Sequence, residues 1–119
     1  MVDKNERGKL GEEFAVDWLR KNGFIICARN WRYGRYEIDI VALRRGVMHF
    51  VEVKTRAVGS MTTAEQAIDT TKRTALLKAM NKHIRTNRMA SDVQVDLAAV
   101  DAYLDGSFVM GRYIENIMG

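Results

Sequence analysis

The tightest constraint in this sequence is a pair of alternating runs, Tyr36–Leu43 and Val47–Thr55, joined around Arg45-Gly46. Two such runs around a short breaker read as a β-hairpin. Pairing Leu43 with Met48 fixes the register, so that facing residue numbers sum to 91. Asp39 then opposes Glu52, and Glu37 opposes Lys54. Directly opposed side chains project on the same side of a sheet. Two carboxylates held roughly 5 Å apart at an effective dielectric of about 20 repel by about 3 kcal/mol. Something must neutralise them.

Apolar neighbours sharpen the point. Ile38, Ile40, Ala42, Val51 and Val53 fall on the opposite side, while Val41, Leu43, Met48 and Phe50 cover the hairpin end of the acidic side. The charges therefore collect where the cover should open. Hard cations such as Mg²⁺ prefer carboxylate oxygens, carbonyls and water. Asp39, Glu52 and the Val53 carbonyl make three candidate ligands, with Lys54 beside them to orient a water or steady a phosphate oxygen. A lone Glu-Val-Lys is most often a solvated charge pair. It is the conjunction with Asp39 that points to a metal site.

Helical spacing of Leu10, Phe14, Ala15, Trp18 and Leu19 predicts a first helix over Lys4–Lys21, stopped by Asn22-Gly23. Phe24–Ala28 reads as a short buried strand. Thr62-Thr63-Ala64-Glu65 is a capping box opening a helical region with a break near Asp69–Thr71, continuing to about Asn87. Leu76, Leu77, Met80 and Ile84 form its apolar stripe. Val93–Val100 and Phe108–Ile114 close the chain as strands. The order α-β-β-β-α-β-β implies an α/β fold, a mixed sheet flanked by helices.

The 119 residues suit one domain, 1–119, and the 47% hydrophobic, 29% charged composition excludes disorder and coiled coil. No apolar run approaches the roughly 18 residues that span a bilayer, so no membrane partner is expected. The opening residues lack a secretory signal and Cys27 is the only cysteine, which predicts a reducing, cytoplasmic location. A net charge of +4 leans weakly towards a nucleic-acid partner.

Gly8–Ala15, Arg29-Asn30-Trp31-Arg32, Glu37–Ala42 and Phe50–Arg56, with Lys72 and Val95-Asp96-Leu97, together resemble the YraN-like family. These are small bacterial proteins similar to archaeal Holliday junction resolvases. The resemblance implies a restriction-endonuclease-like core whose signature is an Asp followed by Glu-x-Lys. It makes Asp39, Glu52 and Lys54 the catalytic trio and adds Glu12 to a Mg²⁺ or Mn²⁺ site. It implies an endonuclease hydrolysing DNA phosphodiester bonds at branched or single-stranded structures, with a homodimer as a further expectation. Family members usually carry Gly before Glu-Ile-Asp. This chain has Tyr36 there, which bears on how the Asn30–Arg35 loop meets a substrate.

Arg29, Arg32, Arg35 and Arg56, with Lys72, are the candidate phosphate contacts, and Arg44 and Arg45 lie nearby in sequence. Trp31, Tyr33 and Tyr36 are candidates for base stacking, with Trp31 in the core as the alternative. Gln66 joins Lys72 as a weaker candidate. The other basic residues of the later helix read as a solvated face. His49 projects away from the acids and reads as a satisfied structural histidine; Cys27, in an apolar run, reads as buried. The rival from another functional class is a non-catalytic module that holds nucleic acid or protein on the same fold.

Overall fold

The computed structural model describes residues 3–34, 36–59, 70–87 and 92–117. Its elements are α1 (Lys4–Lys21), β1 (Ile25–Tyr33), β2 (Tyr36–Arg44), β3 (Val47–Ala57), α2 (Thr70–Asn87), β4 (Asp92–Ala102) and β5 (Phe108–Ile114). The order matches the sequence expectation. One five-stranded sheet runs β1-β2-β3-β4-β5. Only β3 and β4 are parallel, and such a pair needs a crossover, which α2 supplies. This mixed α/β architecture is compatible with a restriction-endonuclease-like core.

Each helix covers one face. Ala15, Val16 and Leu19 of α1 pack with Phe24, Ile40, Ala42, Val51, Ala98 and Val100. On the other face Ala79 of α2 joins Ile38, Val41, Phe50 and Val95, with Met80 and Ile84 packed alongside. The β2–β3 hairpin turns at Arg45 and Gly46, whose φ values of 51° and 77° are the paired left-handed conformations of a primed two-residue turn. Its register pairs Leu43 with Met48 and Ile40 with Val51, as the alternation predicts.

Four local expectations are corrected. Leu10, placed in the buried stripe of α1, is 41% exposed; the buried line runs Gly11, Ala15, Leu19 with Val16 beside it. That rotation puts Glu12, one turn before Val16, on the covered side of the helix. Leu77 likewise turns outward at 40% exposed, and α2 buries His83 against the rings of Trp31 and Phe50. The first strand is longer and less buried than Phe24–Ala28. It is an edge strand whose polar half, Arg29 to Arg32, pairs with β2 where a loop was expected. Cys27 is exposed, because a bulge between Ile26 and Ala28 throws it out of the ladder.

No helix among the described residues is long and apolar enough to cross a membrane. The capping box at Thr62–Glu65, Gln66 and Arg35 lie outside the described residues, as do the side chains of Tyr33, Tyr36 and Lys72.

Candidate metal centre

Strands β2 and β3 separate where the acids sit. Their ladder ends at Ile40 opposite Val51. One step further, Asp39 Oδ2 accepts the Val53 backbone N–H at 2.8 Å, so a side chain does the work of a strand partner. The expected Glu37–Lys54 rung does not form; Glu37 instead meets Arg32 at 3.3 Å. Ile38 follows the twist into the α2-side cluster while Ile40 stays on the α1 side, contrary to a simple alternation. Because N–H and C=O of one extended residue share a strand edge, the Val53 carbonyl also points into this split.

Asp39 and Glu52 meet there through a hydrogen bond between their carboxyl groups. Glu52 is 2% exposed. Burial first, then the Glu52 charge, pushes the Asp39 carboxyl up to about 8; the Val53 N–H opposes the rise. Glu12 approaches from α1 and adds its charge to Asp39. Its own pKa is raised, by burial and then by the Glu37 charge, with Arg29 and a hydrogen bond from Asn30 acting against the rise. Glu12 Oε1 is buried with no hydrogen-bond partner among the described residues. Lys54 Nζ lies 3.7 Å from Glu52 Oε1 and stays one-third exposed, within reach of an incoming group.

A buried, partnerless Glu12 oxygen and an Asp39 carboxyl held protonated by burial and the Glu52 charge together mark a region short of positive charge. Its donors are all oxygen, which suits Mg²⁺ or Mn²⁺ and not zinc. Asp39, Glu52 and the Val53 carbonyl offer the donor chemistry a hard divalent cation takes, while Glu12 does not come within 4.8 Å of both acids at once.

Beside the acids a cleft of about 490 Å³ opens between α1 and β1. Lys9, Leu10, Glu12 and Glu13 line its helix side; Arg29, Asn30, Arg32 and Glu37 line the other. Glu12 is the wall it shares with the acid cluster. Arg29 pairs with Glu13 at 2.6 Å, and Arg56 with Asp101 at 3.2 Å. Arg44 is drawn elsewhere, to Glu115 and over the Phe24 ring. Trp31 is partly buried against the α2-side core. Sequence reasoning missed Asn30, whose one signal was a short amide residue between Arg29 and Trp31. It also missed the Asp39–Val53 bond, which no side-chain pattern encodes.

His49 is buried as expected and is engaged by Asp96. Asp96 is fully buried and receives Gln94 Nε2 at 2.8 Å and the Asn116 N–H at 2.9 Å on Oδ1. The Tyr113 hydroxyl and His49 Nδ1 both meet its Oδ2. Burial, then Asp96, holds the Tyr113 hydroxyl far above its ordinary value.

A Porphyromonas gingivalis protein named UPF0102 protein is 38% identical over 116 residues, covering 98% of this chain and 86% of that one. A UPF0102 protein of Dictyoglomus thermophilum is 33% identical over 116 residues, 97% and 98% of the two chains. One from Koribacter versatilis is 39% identical over 100 residues, 82% of this chain and 68% of its own. Residues 11–100, from the glycine before Glu12 to near the end of β4, match the uncharacterised protein family UPF0102, and the chain belongs to that family.

Proposed function

We propose that this protein is a divalent-cation-dependent phosphodiesterase acting on DNA. The observation that carries the reading is the meeting of the Asp39 and Glu52 carboxyls at a split in the sheet, where Asp39 Oδ2 takes the Val53 N–H in place of a strand partner. Asp39, Glu52 and the Val53 carbonyl would hold Mg²⁺ or Mn²⁺. When bound, the cation supplies charge neutralisation at the phosphodiester and acidifies a water. Lys54 offsets the Glu52 charge and keeps donors free for a phosphate oxygen or the attacking water. Arg29 and Arg32 exchange their Glu13 and Glu37 partners for backbone phosphates, since guanidinium binds carboxylate and phosphate through the same fork.

The test is a cleavage assay on branched, flap, single-stranded and duplex DNA with Mg²⁺ and Mn²⁺. Cleavage lost in Asp39→Ala and in Glu52→Ala supports the assignment; unchanged cleavage in either overturns it. The rival is a non-catalytic module that holds nucleic acid or protein on the same fold. Salt-dependent DNA binding without Asp39-dependent heat on Mn²⁺ titration would favour that non-catalytic module.

A further inference from the structure

In an unbroken strand, residues three apart face opposite sides of the sheet. Arg29 and Arg32 of β1 nevertheless both line the cleft against α1. Arg29 lies opposite Ile40, which packs with the α1-side core, and Trp31 lies opposite Ile38, which packs with the α2-side core. Opposed residues share a face, so the alternation slips by one between Arg29 and Trp31. The slip falls at Asn30, whose φ of 50° is left-handed in the middle of an extended strand. Its rung to Asp39 is missing from the ladder although the rungs on both sides form. Asn is among the few residues with a side chain that tolerate this conformation. One turn of the backbone thus gathers two guanidinium groups on one face.

The cleft they line holds about 490 Å³, within the range of about 300–1,000 Å³ usual for small-ligand sites. One nucleotide fits such a space and a double helix does not. Leu10 of α1, 41% exposed, gives one wall an apolar surface for a base. Arg29, Asn30 and Arg32 give the other wall the donors that phosphate oxygens and base edges accept. Asn30 stands on the rung of Asp39, which brings the cleft up to the candidate metal centre. Both arginines are held by exchangeable partners. Arg29 meets Glu13 at 2.6 Å and Arg32 meets Glu37 at 3.3 Å, with the Glu13 side chain 60% and the Arg32 side chain 69% exposed. Exposed ion pairs hold weakly, and a carboxylate released by an incoming phosphate can accept a base amino group. A base inside a duplex is stacked and paired and must leave the helix to enter such a pocket.

We propose that the cleft between α1 and β1 holds one unpaired nucleotide of a DNA strand, with its phosphate on Arg29 and Arg32 and its base between Leu10 and Asn30. The inference rests on the DNA-cleaving function above and names its substrate: DNA with an unpaired nucleotide beside the bond to be cut, not continuous duplex.

Fluorescence anisotropy with the full chain in a chelator tests it, since binding is then read apart from cleavage. The probes are a blunt duplex, the same duplex with one bulged nucleotide, and that bulge made abasic. The intact bulge is expected to bind about tenfold more tightly than either of the others, the scale of a single base contact. Arg29→Ala with Arg32→Ala should abolish the preference; both side chains reach solvent, so the variant should fold. Glu13→Gln frees Arg29 and should tighten binding of the intact bulge, a gain that a merely structural ion pair would not produce. Equal binding of the three probes, or none, overturns the inference and leaves the proposed function to its own cleavage assay. A preference that survives loss of both arginines overturns it too, as does weaker bulge binding in Glu13→Gln. A preference for the intact bulge without its cleavage in Mg²⁺ or Mn²⁺ keeps the cleft and overturns the proposed catalysis.

Discussion

Burial and the neighbouring Glu52 charge hold Asp39 protonated at neutral pH, so folding takes up a proton at this position. The ordinary carboxyl value is 3.8 and the folded value is about 8. Stability contributed by a raised pKa is complete below the ordinary value and is lost as pH climbs through the folded one. Glu12 is shifted in the same direction. In the presence of a chelator, thermal melts should therefore show stability falling between about pH 4 and pH 8. Asp39→Asn should flatten that decline and raise the melting temperature at pH 8. Mn²⁺ should restore the wild type and leave Asp39→Asn far less affected. A wild-type profile flat over this range would contradict the raised carboxyl. At this scale the hairpin register was legible as far as Ile40 opposite Val51, but the rung that alternation assigned to Asp39 and Glu52 does not form, because the strands split there. The proton on Asp39 was not legible, since it depends first on how deeply Asp39 itself is covered, and that is settled by elements distant in sequence.

Between elements, the approach of α1 to β3 decides whether Glu12 reaches the acids at all. A Cβ on Gly11 would lie 1.9 Å from Thr55 Oγ1 and 2.9 Å from Thr55 Cβ. Only a residue without a side chain lets the helix sit this low. Gly11→Ala is expected to cost about 1–3 kcal/mol in urea denaturation, the usual range for overpacking. Thr55→Ala in the same chain should recover part of it, because it removes the nearest atom, and the buried Thr55 hydroxyl has no partner to lose among the described residues. Additive losses would mean the two positions do not meet. Helical spacing located α1 to the residue but misjudged its rotation: Leu10 looked like core by hydrophobicity, whereas the close contact belongs to Gly11. β1 misled for a related reason. Cys27 sits among apolar neighbours in sequence, but a bulge on an edge strand presents it to solvent. Its thiol should react with a disulfide reagent at full stoichiometry in the native state, and slow reaction limited by unfolding would count against the exposed placement.

Across the whole molecule, a second polar cluster stands on the α1 side of the sheet. Potential ligand atoms of His49, Asp96 and Glu115 lie within 4.8 Å of one another, a grouping that invites a metal reading. Its wiring argues otherwise. Both oxygens of Asp96 are occupied, by Gln94 and Asn116 on one and by Tyr113 and His49 on the other, and Glu115 is paired with Arg44. These partners come from β3, β4, β5 and the segment after it, which the Ile117 N–H also ties to Val95. The cluster fastens the closing strands to the sheet. The acids at the β2–β3 split have the opposite character, with carboxyls crowded together and an oxygen left over. The two clusters therefore predict different responses. Asp96→Ala should destabilise the fold by about 3 kcal/mol or more in urea denaturation, because several buried groups lose their acceptor together. The Asp39→Ala/Glu52→Ala double variant should remain folded yet give no heat on Mn²⁺ titration, although His49, Asp96 and Glu115 are intact. Residual stoichiometric binding in that variant, abolished by adding His49→Ala, would move the cation to the His49 cluster and detach it from the split strands.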